Sequence, residues 1–297
     1  MEHRPFPARL ALLVAPLFVA PSLAQTPAGD DPAVPISAKE DPSPATQVDG
    51  IIKEYDDKMQ AFYGLYQQTK GEEAREQLYM SSYPNPGPYA EQLMAIVNAA
   101  PADPASARAI VWVLQNTNAG DKKAGLLAVL LKHHLASEEI AAVCGTLAYD
   151  EDVTSERFLL AVIEANHSHE NVGQATFALC SLLAERINTA ENLGEATVDA
   201  LAPRYDKETA ELLIHADLPA WKARHRALLE TVRDQFGDVQ RWNSTLGQLA
   251  RGALFEMDYP QIGMLAPDVG GPDLDGVNFK LSDYRGQVVF LDFWGDW

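Results

Sequence analysis

Two cysteines and two histidine clusters are the residues of this chain whose types invite a chemical reading. A thiol can be a nucleophile, a redox group or half of a disulfide, and its pKa and neighbours decide which. Cys144 recurs with Ile140, Val143 and Leu147 at helical spacing, and Cys180 with Leu183 and Ile187. Each therefore falls on the apolar face of a helix, where cysteine behaves as a small hydrophobe. In an exported chain the same two residues could instead form a structural disulfide between neighbouring helices, which requires Cβ atoms about 4 Å apart. A catalytic pair fits worse, since their separation in sequence does not place two thiols at one helix N-terminus. His133-His134 and His167-Ser168-His169, the latter flanked by Glu164 and Glu170, raise the question of a metal. Metal ligands come from elements held rigidly to one another, and His-x-His in a loop is unspecific. Histidines at helix ends, where the C-terminal dipole favours positive charge, account for both groups, and no metal or other cofactor is expected. The sequence contains no Gly-x-Ser-x-Gly, His-Glu-x-x-His, phosphate loop or dinucleotide fingerprint, so hydrolase and kinase readings have no residues to stand on.

The other chemically informative stretch is the last one, Ile262 to Trp297. Asp275-Gly276 supplies a turn between two short segments, Asp273-Leu274 and Val277 to Leu281, as in a small hairpin. Arg285-Gly286 closes a loop. Gln287 to Trp294 is then apolar, β-branched and aromatic, the composition of a strand buried on both faces. Taken as they stand, Asp292 is a strand-end carboxylate and Trp294 a core aromatic.

Gly263, Ala266-Pro267-Asp268, Asp273 to Gly276, Leu281-Ser282-Asp283, Arg285-Gly286 and Val288 to Trp297 together resemble the opening of a redoxin domain. This is the thioredoxin-like fold of TlpA/ResA-type envelope thiol-disulfide oxidoreductases, related to the AhpC/TSA proteins. In that family the segment matching Phe293 to Trp297 is followed at once by Cys-x-x-Cys. The resemblance implies a first cysteine activated at a helix N-terminus and a second that resolves the mixed disulfide. It also implies that Asp292 matches the buried acid that helps deprotonate the resolving cysteine, and that Trp297 flanks the first. The sequence stops at Trp297, so the expectation is a chain incomplete as given and inactive without that motif. The implied partners are protein dithiols and disulfides. A peroxiredoxin-type antioxidant protein is a further alternative, but there the peroxidatic cysteine follows a Pro-x-x-x-Thr-type stretch, which Gly295-Asp296-Trp297 does not resemble.

The elements that would carry this segment are read as mostly α. Arg4 and Arg9, the apolar run Leu10 to Ala20 and Ser22-Leu23-Ala24 have the pattern of a secretory signal peptide over 1–24, a membrane tether only if uncleaved. Export to the periplasm or cell envelope is the consequence of that reading and fits the scarcity of cysteines. Residues 25–47, rich in proline, read as a disordered linker. A helical domain spans 48–257, with one helix predicted from Val48 to about Ser82 on Ile52, Tyr55, Met59, Phe62, Tyr63 and Tyr66. Further helices start near Pro104, Asp121, Ser137, Thr154 and Asn171. Their even spacing predicts an irregular, α-solenoid-like stack. A longer helix begins after Asp217, and another runs from Ser244 to about Met257. Residues 262–297 would then be only the first strands of a thioredoxin-like α/β domain.

A net charge of −19 and a pI near 4.6 repel phosphate backbones and argue against a nucleic-acid partner. They leave room for a reading of a different class, in which the helical domain is a protein-binding module for basic partners and the C-terminal segment is vestigial.

Overall fold

The computed structural model describes residues 42–258 and 263–292. The signal peptide assigned to 1–24, most of the linker, and Trp294 and Trp297 lie outside the described residues.

Helix α1 spans Pro44–Gln68. It begins within the stretch read as linker because Ser43 caps it, accepting from Thr46 N–H at 3.3 Å, and Pro44 occupies the first turn, where its missing N–H costs nothing. Val48, Tyr55 and Phe62 form its buried stripe. The single helix predicted to Ser82 is two: Gly71 adopts φ +91° and breaks the run, and α2 restarts at Glu72–Ser82 with no buried residue.

Eight further helices follow, several of them capped: α3 (Gly87–Ala99), α4 (Pro104–Asn116), α5 (Lys123–His133), α6 (Glu139–Leu147), α7 (Val153–Ala165), α8 (His169–Asn192), α9 (Val198–Leu201) and α10 (Lys207–Ile214). α11 (Leu218–Gln235) and α12 (Leu246–Asp258) complete the helical part. Asp103, Asp152, Ser168, Asp206 and Asp217 each accept a first-turn N–H, worth about 1 kcal/mol per cap. The predicted starts therefore fall within a few residues of the observed ones.

Helices two apart in the chain stack on each other: α4 on α6, α6 on α8 and α5 on α7. The lengths vary from 9 residues in α6 to 24 in α8, so no unit of fixed period sets the stacking. α8 is the hub, meeting α6, α7, α10, α11 and α12. Its two sides serve two cores. Ala175, Ala178, Leu179 and Leu182 join the larger cluster with α1 and α3 to α7, while Cys180 joins Leu229, Val232, Leu246 and Leu254 of α11 and α12. Between α11 and α12 the chain makes a tight hairpin, β1 (Gln240–Arg241) against β2 (Ser244–Thr245). The entry to α12 is so close to the end of α11 that a Cβ on Gly247 would lie 2.7 Å from the Cα of Gly237, which only glycine permits.

In the C-terminal segment β3 (Gly270–Pro272) pairs antiparallel with β4 (Asn278–Lys280), and a 3₁₀ turn comes next at Leu281–Tyr284. The hairpin is present, but Asp273, read as strand, belongs to its loop. Its Oδ1 accepts from Asp275 N–H and Val277 N–H at 2.9 and 2.8 Å, an Asx turn that lets Gly276 take φ +79°. The doubly buried strand expected from Gln287 onward is not formed over 287–292: no ladder is made, and Val288 and Phe290 are 104% and 90% exposed. A run of this composition is stable as a strand only when neighbours satisfy its backbone, and none is found among the described residues.

Candidate functional site

The two thiols are free and lie in different cores. Cys144 is on α6 within the larger cluster and Cys180 on the side of α8 that faces α11, so the disulfide weighed from sequence is not made. Burial pushes each thiol up to about 12; at Cys144 the Arg241 guanidinium offsets part of that effect. Neither is a poised nucleophile.

Of the four clustered histidines, His134 and His169 have structural partners. His133 and His134 end α5, as the dipole argument expects, and His134 Nε2 contacts the Pro101 carbonyl oxygen at 2.7 Å. His169 departs from it: this residue opens α8, at the positive end of the dipole, and is held by Asp238 at 2.9 Å. Among the described residues no cluster of three His, Cys, Asp or Glu side chains is arranged to hold a metal ion.

Asp292 is exposed, while Trp297, assigned with it to the active site, falls outside the described residues. What orders the segment before Asp292 is Asp268, whose carboxylate accepts from Ser282 N–H and Ser282 Oγ, both at 2.8 Å. The Ser282 backbone bond, reinforced by the hydroxyl, holds the Asp268 carboxyl below its usual range. With Leu281 N–H to the Val269 carbonyl at 2.8 Å, this clasp closes the hairpin onto the 3₁₀ turn. The Asp268 and Ser282 positions were legible as matches to the family, but their bond was not.

A cavity of about 310 Å³ opens between α8, α11 and α12, lined mainly by Phe177, Cys180, His225, Leu229, Ala253 and Met257. Burial holds the His225 imidazole below its ordinary value of 6.5. The unfolded chain therefore takes up that proton first as pH falls. Stability from the neutral ring is full above about pH 6.5 and is lost as pH drops through the folded value. The expected result is a Tm that falls between about pH 7.5 and pH 5 and a weaker fall in His225→Gln. An unchanged pH profile in that variant would remove His225 from the account.

At a coarse level part of the chain is redoxin-like, and the particular likeness is to ResA. Over 36 residues, 12% of this chain and 21% of the relative, it is 53% identical to the thiol-disulfide oxidoreductase ResA of Geobacillus thermodenitrificans. The ResA of Geobacillus kaustophilus is 56% identical over the same length. That of Bacillus anthracis is 41% identical over 49 residues, 16% of this chain and 28% of the relative. The chain spans between 21% and 28% of the length of these relatives. No family model matches the chain, and no solved structure matches it. Among the described residues no helix is long and apolar enough to cross a membrane.

Proposed function

We propose that this chain belongs to a thiol-disulfide oxidoreductase of the cell envelope, with 262–297 forming the opening of its redoxin domain and the helical part serving as a docking module. The observation that carries the reading is the identity of 53% over 36 residues to a ResA oxidoreductase. The Asp268–Ser282 clasp supports it by giving that sequence a defined local structure despite heavy exposure. In this reading Asp292 is the proton relay to a resolving cysteine and Trp297 flanks the attacking one, both acting only with a Cys-x-x-Cys supplied beyond Trp297. The two cysteines present, buried and far from thiolate at neutral pH, take no part. Partners would be protein dithiols and disulfides, without a cofactor.

Sequencing the source gene past codon 297 and expressing the extended product tests this. An in-frame Cys-x-x-Cys, with insulin reduction that is lost on replacing either of its cysteines by serine, is the expected result. A stop codon with no cysteine pair downstream, or reductase activity in the 297-residue chain itself, would overturn the reading.

A second reading, a helical protein-binding module with a vestigial redoxin remnant, is favoured by one surface. Phe62 is ringed by Tyr63, Tyr66, Tyr79 and Tyr83 at centroid distances of 5.3 to 6.1 Å, and Tyr79 and Met80 are 50% and 82% exposed. Tyrosine and methionine are enriched where proteins dock.

A further inference from the structure

Among the described residues Arg241 is a buried cation without a counter-ion. It is 8% exposed, yet among the described residues its guanidinium makes one hydrogen bond, from Nη1 to the neutral Gln174 Oε1 at 2.8 Å. Among the described residues its Nε is buried with no acceptor, and no carboxylate pairs with the guanidinium. Asp238, three residues before it, is bound by His169 instead. In a chain with 42 acidic residues, leaving a buried arginine to an amide oxygen is unusual chemistry, because a buried charge is ordinarily paired.

The surroundings are built around the guanidinium plane. Its carbon lies 5.4 Å from the Phe177 ring centroid and 4.5 Å from that of Trp242. Trp242 is 74% exposed and sits at φ +53°, the first central position of a two-residue hairpin turn, where glycine is the ordinary residue. Backbone strain of that kind persists where the surrounding structure insists on it. Gly145 of α6 completes one wall: a Cβ there would meet Nη1 and Nη2 at 3.6 and 3.8 Å. Tyr149, 62% exposed, is close enough to feel the Arg241 charge.

We infer that Arg241, with the Phe177 and Trp242 rings against its guanidinium and Gly145 beside its Nη atoms, is a binding site for a carboxylate. A planar guanidinium with one donor pair unused matches a carboxylate in a two-bond fork. The aromatic faces orient that fork, and arginine, tryptophan and tyrosine are the residues that anchor docked groups. The net charge of −19 disfavours polyanions such as nucleic acids or phosphorylated surfaces, which leaves a singly charged carboxylate, either a free acid or an acidic side chain of a polypeptide. The site stands apart from the redoxin reading and does not depend on it.

The Nε–H resonance of a buried arginine exchanges slowly and reports directly on its acceptor; here it is assigned by its loss in Arg241→Lys. The full chain is titrated at constant ionic strength with N-acetylglutamate α-amide, whose side chain is its one carboxylate, with a blocked peptide carrying one glutamate, with the uncharged glutamine counterpart of each, and with inorganic phosphate. A saturable shift with the glutamate form and none with the glutamine form is the expected result. Response to the free acid identifies a small-molecule carboxylate, and response to the peptide alone identifies a protein partner. No shift with either glutamate form, equal shifts with glutamine, or phosphate acting as strongly as glutamate would overturn the assignment. The titration is made on the unaltered protein, and if Arg241→Lys folds poorly the same resonance is assigned instead by its through-bond correlations along the Arg241 side chain.

Discussion

Near neutral pH and without denaturant, both thiols will stay unmodified by an aryl disulfide reagent for hours, and both will react within seconds once the chain is unfolded. Cys144 is 0% and Cys180 1% exposed, so the reagent has no approach to either sulfur. Burial also pushes each thiol up to about 12, so at neutral pH almost none of the reactive thiolate is present. The two effects multiply, so reaction in the native protein waits on opening of the helical core. Cys180, which borders the cavity between α8, α11 and α12, will be the faster of the two. Labelling of either sulfur in the folded protein at the rate of a small-molecule thiol would contradict this burial. It would also reopen a redox role for the cysteines this chain carries.

Arg186→Ala will cost about 3 kcal/mol in urea unfolding at neutral pH. Arg186 is 2% exposed, its Nε donates to the Glu151 carbonyl at 2.7 Å, and Nη1 bonds the Glu156 carboxylate. Removing one member of a buried pair strands the other, which is where the cost arises; Arg224, 2.7 Å from Glu156, keeps it at the lower end of the usual range. Burial alone would raise the Glu156 carboxyl, but Arg186 and Arg224 outweigh it and hold it low. A depressed carboxylate contributes stability above its unfolded pKa, near 4.3, and that contribution is lost as pH falls through the folded value. The difference between Arg186→Ala and the parent should therefore shrink in acid. Truncating the exposed pair Arg157–Glu208, at 65% and 56% exposure, should change stability by no more than about 0.5 kcal/mol. Equal costs for the two pairs would show that burial does not decide the energetics.

The helices were legible because their signals are local. A cap such as Asp152 or Asp217 and an apolar repeat such as Ile140, Val143, Cys144 and Leu147 lie within a few residues of each other. The break at Gly71 was missed because the aromatic periodicity runs on either side of it, and only the φ of +91° ends the helix. Arg241 had no signal in sequence. A single arginine before Trp242-Asn243 reads as a solvated turn until α6 and α8 are seen to close over it.

By itself the sequence determined a mostly α chain, helix starts within a few residues, and a partial redoxin likeness, since propensity, capping and motif order are properties of short segments. Tertiary structure decided what those segments meet. It put Cys144 and Cys180 on opposite sides of the α8 packing, left Val288 and Phe290 in solvent, and enclosed Arg186 with the Glu156 carboxylate but, among the described residues, Arg241 with none. Burial and pairing depend on residues far apart in the chain, and no local pattern encodes which of them will come into contact.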